Sequence, residues 1–166
     1  MFYSRNGGFT IVELMVAVGL FVVVVGIASA TFVQALRTQR QVVGLMAAND
    51  NASLTLEQMA REIRTGTQFA LPGASGNEGI ELKFQNADDV TVHYRLNNSV
   101  IEREADGRTF PITGNNVQVS TLAFHLVHNE IDWPPRITIT LSVAPVASTL
   151  QAIVTNLQTT ASGRNF

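Results

Sequence analysis

The residue whose setting raises the sharpest chemical question is Glu13. It lies five positions after the Gly7-Gly8 pair and directly before Leu14 to Val33, a stretch without a charged side chain. An ionised carboxylate in such surroundings costs several kcal/mol unless a positive partner reaches it. A cut between Gly8 and Phe9 creates that partner, because Phe9 then becomes the first residue and carries an α-amino group. Within one helix this amine points away from Glu13. In a stack of parallel copies, the amine of one chain meets the Glu13 carboxylate of the next. The pair neutralises itself in a low-dielectric setting and fixes the axial stagger between copies.

Other residues of catalytic or metal-binding type carry less. His125-x-x-His128, followed by Glu130 and Asp132, has the composition of a metal site. In a strand, however, residues three apart point to opposite faces, so ordinary surface histidines are expected and no metal. The Asn77-Glu78 and Asn86-Ala87-Asp88-Asp89 loops hold calcium-type ligands without the dense spacing of a dedicated calcium loop. They read as solvated turns, so no cofactor is expected and calcium stands only as a minor alternative. There is no phosphate loop, nucleophile elbow or pair of catalytic acids, so the chain does not read as an enzyme. Trp133-Pro134-Pro135 is an aromatic loop tip, suited either to the core or to a neighbouring chain.

The elements that must carry Glu13 follow from composition and period. The chain has 166 residues, 46% hydrophobic and 14% charged, with no cysteine and a net charge of -2. That is an ordered chain with room for one domain plus an appendage, without disulfide chemistry and without the basic surface nucleic acid requires. Leu14–Val33 has about the ~20 residues a helix needs to cross a ~30 Å hydrocarbon core. No proline falls between Ala30 and Thr65, and Val42, Leu45, Met46, Ala52, Leu56, Met59, Ala60 and Ile63 recur at helical spacing. The expectation is one long helix, with a transmembrane half over residues 9–35 and an amphipathic half over 36–66. Asn49-Asp50-Asn51 is its weak point, and Gly66 and Pro72-Gly73 end it.

From Gly79 the period changes to two. Ile80, Leu82 and Phe84 alternate with polar residues, as do Val90, Val92, Tyr94 and Leu96. Asn97-Asn98 and Asp106-Gly107 read as tight turns. Val100–Glu104, Val117–Leu126, Ile137–Val143 and Gln151–Gln158 read as further strands. The predicted fold is α+β: the long helix covering one face of an antiparallel β-sheet head over residues 67–166.

The stretch Gly8-Phe9-Thr10-Ile11-Val12-Glu13-Leu14 and the apolar helix after it resemble the class III signal of type IV pilins and type II secretion pseudopilins. The resemblance implies that residues 1–8 are a leader, removed by a membrane-embedded prepilin peptidase that cuts between Gly8 and Phe9 and methylates the Phe9 amine. It gives Glu13 the assembly role and implies other pilin or pseudopilin subunits and an inner-membrane assembly platform as partners. It also implies a single-pass inner-membrane location, with the head on the extracytoplasmic side, before entry into a filament. Leu56-Glu57-Gln58-Met59-Ala60-Arg61-Glu62-Ile63-Arg64, Val92–Arg103, Arg136–Leu141 and Ala161–Asn165 are similar to W-type minor pilins and J-type minor pseudopilins. The absence of a disulfide loop and of a helix proline departs from the major-pilin pattern, although Gly19 and Gly26 leave room for local melting. Two rivals compete: a plain membrane anchor, and a secretory signal peptide cut after Ala28-Ser29-Ala30 and releasing a β-rich binding domain.

Overall fold

The computed structural model describes residues 8–127, 134–146 and 153–163. The leader residues before Gly8 lie outside them, as do His128, Glu130, Asp132, Trp133 and the closing Arg164-Asn165. One helix, α1 (Ile11–Arg64), is followed by nine strands: β1 (Thr67–Ala70), β2 (Glu78–Gly79), β3 (Leu82–Gln85), β4 (Thr91–Asn97), β5 (Val100–Ala105), β6 (Arg108–Pro111), β7 (Val117–Val127), β8 (Arg136–Pro145) and β9 (Thr155–Ser162). The chain divides into two compact units, Met1–Val42 and Val43–Phe166.

In the second unit, α1 presents Ala48, Ala52, Thr55, Leu56, Met59, Ala60 and Ile63 to the core. Residues 48, 52, 55/56, 59/60 and 63 recur at steps of three and four, the spacing of a single helix face. Val42 and Met46, placed on that stripe by the sequence reading, are exposed. Counting back in steps of three and four from Ala52 passes through Ala48 and Leu45 instead, so the covered face leaves Met46 on the far side. The Asn49-Asp50-Asn51 stretch does not interrupt the helix.

The α+β reading holds, but the strands form two antiparallel sheets rather than one. Their orders are β1-β3-β4-β5-β6 and β2-β7-β8-β9. The chain changes sheets between Gly79 and Leu82, which leaves Ile80 exposed instead of in line with Leu82 and Phe84. Two tight turns set the first sheet's register. Asn98 and Ser99 both have positive φ and join β4 to β5, one residue later than the sequence placed the turn. Asp106 and Gly107 do the same between β5 and β6. Two left-handed residues in succession match the twist of paired strands. Strand β6 ends on Pro111, which is tolerated at an edge because a proline has no ladder N–H to lose.

The two sheets and the helix share one hydrophobic cluster. The first sheet supplies Leu82, Phe84, Val92, Tyr94 and Ile101, and the second Leu122, Phe124, Ile137, Ile139 and Leu141. Phe69, Phe84 and Tyr94 stack in series, with centroids 5.4 and 6.0 Å apart. The helix ends at Arg64, and the close approach just after it requires glycine: a Cβ at Gly66 would stand 2.5 Å from the Phe84 ring.

Candidate processing and assembly site

The first unit is an element with nothing of its own to pack against. Every side chain from Ile11 to Val42 is exposed, among them Leu14, Phe21, Ile27, Phe32 and Val33. Hiding one side chain of this size from water is worth about 1.5–3 kcal/mol, so such a surface is stable only in lipid or against other apolar helices. The helix is long and apolar enough to cross a membrane. Two of its threonines bond within the helix: the Thr31 hydroxyl donates to the Ile27 carbonyl at 2.9 Å, and Thr38 does likewise to Gln34 at 3.1 Å. Both hydroxyls are thereby satisfied within the helix.

At the front end, Gly8, Phe9 and Thr10 precede the first helical residue, Ile11. Thr10 is the N-cap. Its Oγ1 accepts the Glu13 amide at 3.2 Å and its carbonyl accepts the Leu14 amide at 3.1 Å. Thr10-Ile11-Val12-Glu13 is therefore the capping-box spacing, legible in the sequence but not read from it. Glu13 sits in the first turn of α1, at the positive end of the helix dipole, rather than deep within an apolar helix. Among the described residues, no side-chain donor reaches its carboxylate.

The bond between Gly8 and Phe9 is open to attack. Both residues are exposed, Phe9 at 85%, and they lie outside the helix. A Cβ built on Gly8, Gly19 or Gly26 meets nothing within 4 Å. This chain's own packing therefore does not require glycine at any of the three. The structure does not bring Gly8, Phe9 and Glu13 into a pocket; it sets them in series along an exposed helix start.

The head handles its charges differently. Glu62, on the last turns of α1, takes two hydrogen bonds from the Arg103 guanidinium, at 2.9 and 2.6 Å, and one from the Tyr94 hydroxyl. Burial alone raises the Glu62 pKa, but the bonds from Arg103 and Tyr94 outweigh it and hold the carboxyl below its ordinary range. Burial, together with the Glu62 carboxylate, pushes the Tyr94 phenol far up. This cluster was missed in the sequence. Its one available signal was a tyrosine on the apolar face of β4, whose hydroxyl needs a buried partner. Nearby, Arg95 bridges Glu102 and Glu104 at 3.0 Å each, and His93 Nε2 lies 3.0 Å from Glu81. His125 stands in β7 opposite Glu78 and Thr138. The Asn86 side chain accepts the Asp88 and Val90 amides, so its oxygen is engaged inside its own turn. Among the described residues, no three His, Asp or Glu side chains group as metal ligands do.

Residues 3–29 match the family model described as the prokaryotic N-terminal methylation motif, the hallmark of type IV pilins and pseudopilins. The match ends within α1 and takes in none of the head. Comparisons with curated proteins and with solved structures return no significant match.

Proposed function

We propose that this chain is a minor pilin or pseudopilin, a structural subunit of a type IV pilus-like filament rather than an enzyme. The observation that carries the reading is the coincidence of the methylation motif with a helix bare of internal partners from Ile11 to Val42. Prepilin peptidase hydrolyses the Gly8–Phe9 bond, leaving a carboxylate on Gly8 and an amine on Phe9. The same enzyme transfers a methyl group to that amine from an electrophilic methyl donor. The mature chain, residues 9–166, spans the inner membrane once with its head outside. It leaves the bilayer when its apolar helix exchanges lipid for the helices of neighbouring subunits at the assembly platform. Glu13 pairs with the Phe9 amine of the adjoining subunit and sets the stagger. Gly19 and Gly26 allow close helix approach.

A place at the tip or in filament initiation fits better than the shaft. The chain has no cysteine for the disulfide that braces many major pilins and no proline in its apolar helix. Mass spectrometry of the protein from native membranes or filaments tests the reading. A chain beginning at N-methylated Phe9 is expected. A chain beginning at Thr31 replaces it with a secreted β-rich domain carrying an ordinary signal peptide.

A further inference from the structure

We infer that Thr10 is a positioning residue for processing, whose hydroxyl fixes where α1 begins and thereby keeps the Gly8–Phe9 peptide unwound for the protease. The inference rests on the reading that this bond is the one cut.

Three observations meet at this residue. The Thr10 side chain holds the Glu13 amide, the bond that an N-cap makes to the third residue of its helix. Gly8, Phe9 and Thr10 are non-helical, and α1 begins at Ile11. The residues that follow, Ile11 to Val42, are exposed and predominantly apolar, so the helix start lies at the edge of a surface that seeks lipid or other helices. At that edge an amide that loses its acceptor is short of water on the side where the helix meets lipid or other helices. It recovers one most cheaply by winding the helix back, so that the Glu13 amide takes the Phe9 carbonyl in the ordinary i to i−4 bond. Phe9 then becomes the cap, and the scissile peptide lies directly against the helix end. Hydrolysis places water's oxygen on the Gly8 carbonyl carbon and a proton on the departing Phe9 nitrogen. That geometry requires the peptide extended and its carbonyl free, the form in which peptides are ordinarily held by binding grooves. Gly8 and Phe9 supply the chemical identity of the cut, and Thr10 supplies its conformation.

The experiment compares the full-length wild type with Thr10→Val, which keeps shape and β-branching but removes the acceptor, and Thr10→Ser, which keeps the acceptor. Cleavage is followed by mass spectrometry after adding the chain, in membranes, to a prepilin peptidase. The helix start is read from Phe9 and Thr10 carbon chemical shifts of the same chains in micelles. Thr10→Val is expected to be cut about fivefold more slowly, the population change that loss of a typical N-cap produces. Its Phe9 shift is expected to move toward helix, while Thr10→Ser matches wild type in both measurements. Cleavage of Thr10→Val at the wild-type rate overturns the inference, as does slow cleavage with the helix start unmoved. A wild-type chain left whole overturns the processing reading as well, and is told apart because wild type and Thr10→Val then fail alike.

Discussion

Two of the three glutamates of helix α1 stand in opposite circumstances, Glu13 near its start and Glu62 near its end. Glu62 is held by a bidentate arginine and a tyrosine hydroxyl, all within one chain. Glu13 has a capped backbone, and among the described residues no side-chain donor meets its carboxylate. The surroundings divide the same way. Around Glu62 the helix buries Leu56, Met59, Ala60 and Ile63, whereas after Glu13 every side chain to Val42 is exposed. The contrast teaches where to look for function. Among the described residues, the second unit supplies partners for Glu62, Arg95 and Arg103 and covers one face of its helix from within its own chain. The first unit has its backbone in order and its surface unsatisfied, which is the condition of an element completed by other molecules.

The largest expected effect comes from removing the carboxylate that lacks an internal partner. Glu13→Ala leaves the Thr10 cap intact, since the bonded group is the residue's backbone amide, so cleavage after Gly8 proceeds normally. Assembly fails, because an amine desolvated without its counter-charge costs about 3–5 kcal/mol. Incorporation into filaments, followed by immunoblotting of sheared fibres, should fall at least about tenfold. Normal incorporation of this variant removes the register role. Next comes a separation of the two halves. A fragment of residues 43–166 is expected to be soluble without detergent and to unfold in one cooperative transition by circular dichroism. A fragment that aggregates or melts without cooperativity breaks the contrast from the head's side.

The Glu62 cluster offers a finer test through pH. The folded carboxyl titrates below its ordinary value of about 4.5. Its contribution is therefore fully present above that value and is lost as pH falls through the lower, folded value. Glu62→Gln should destabilise the head by about 2 kcal/mol at neutral pH, since it leaves Arg103 without its counter-charge. The gap between wild type and Glu62→Gln should narrow as pH drops below about 4.5. A gap independent of pH in urea unfolding would remove the electrostatic account.

What the sequence disclosed and what it hid follow from how local each signal is. The apolar helix, the Asp106-Gly107 turn and the alternation of Val92 and Tyr94 depend on neighbours a few residues apart, and the structure carries all three. The choice between one sheet and two depended on Ile80, which continues the alternation of Leu82 and Phe84 yet lies exposed where the chain crosses between sheets. Strand β6, with Arg108 to Pro111 exposed on both faces, has no alternation to read. Of the strand expected over Gln151–Gln158, Gln151 and Ala152 lie outside the described residues, and the observed strand runs over Thr155–Ser162, where a Thr-rich stretch gives the period little contrast. At the candidate site, the motif from Gly8 to Glu13 was legible because it is contiguous. The Glu62 cluster was hidden because its members are 32 and 41 residues apart in sequence.

The smallest expected effect lies at the helix's apparent weak point. Asn51 remains within α1, and its side chain reaches the loop between β6 and β7. Its Oδ1 accepts the Gly114 amide and its Nδ2 donates to the Asn116 side chain, both at 3.0 Å. One turn later, the Thr55 hydroxyl lies 2.9 Å from the Asn51 carbonyl and 3.2 Å from that of Ile112. A poor helix former is thus retained for a tertiary bond, and the fit is close: a Cβ on Gly114 would stand 2.2 Å from the Asn51 amide nitrogen. Asn51→Ala gains helix propensity of up to about 0.7 kcal/mol and loses two hydrogen bonds worth about 0.5–1.5 kcal/mol each. The net is a loss of about 1 kcal/mol, concentrated at the loop. Hydrogen exchange should show faster exchange at the Gly114 amide while the β4 and β5 amides stay protected. A stabilised variant, with the Gly114 amide still slow, would show that the side chain is a bystander and that helix propensity decides this position.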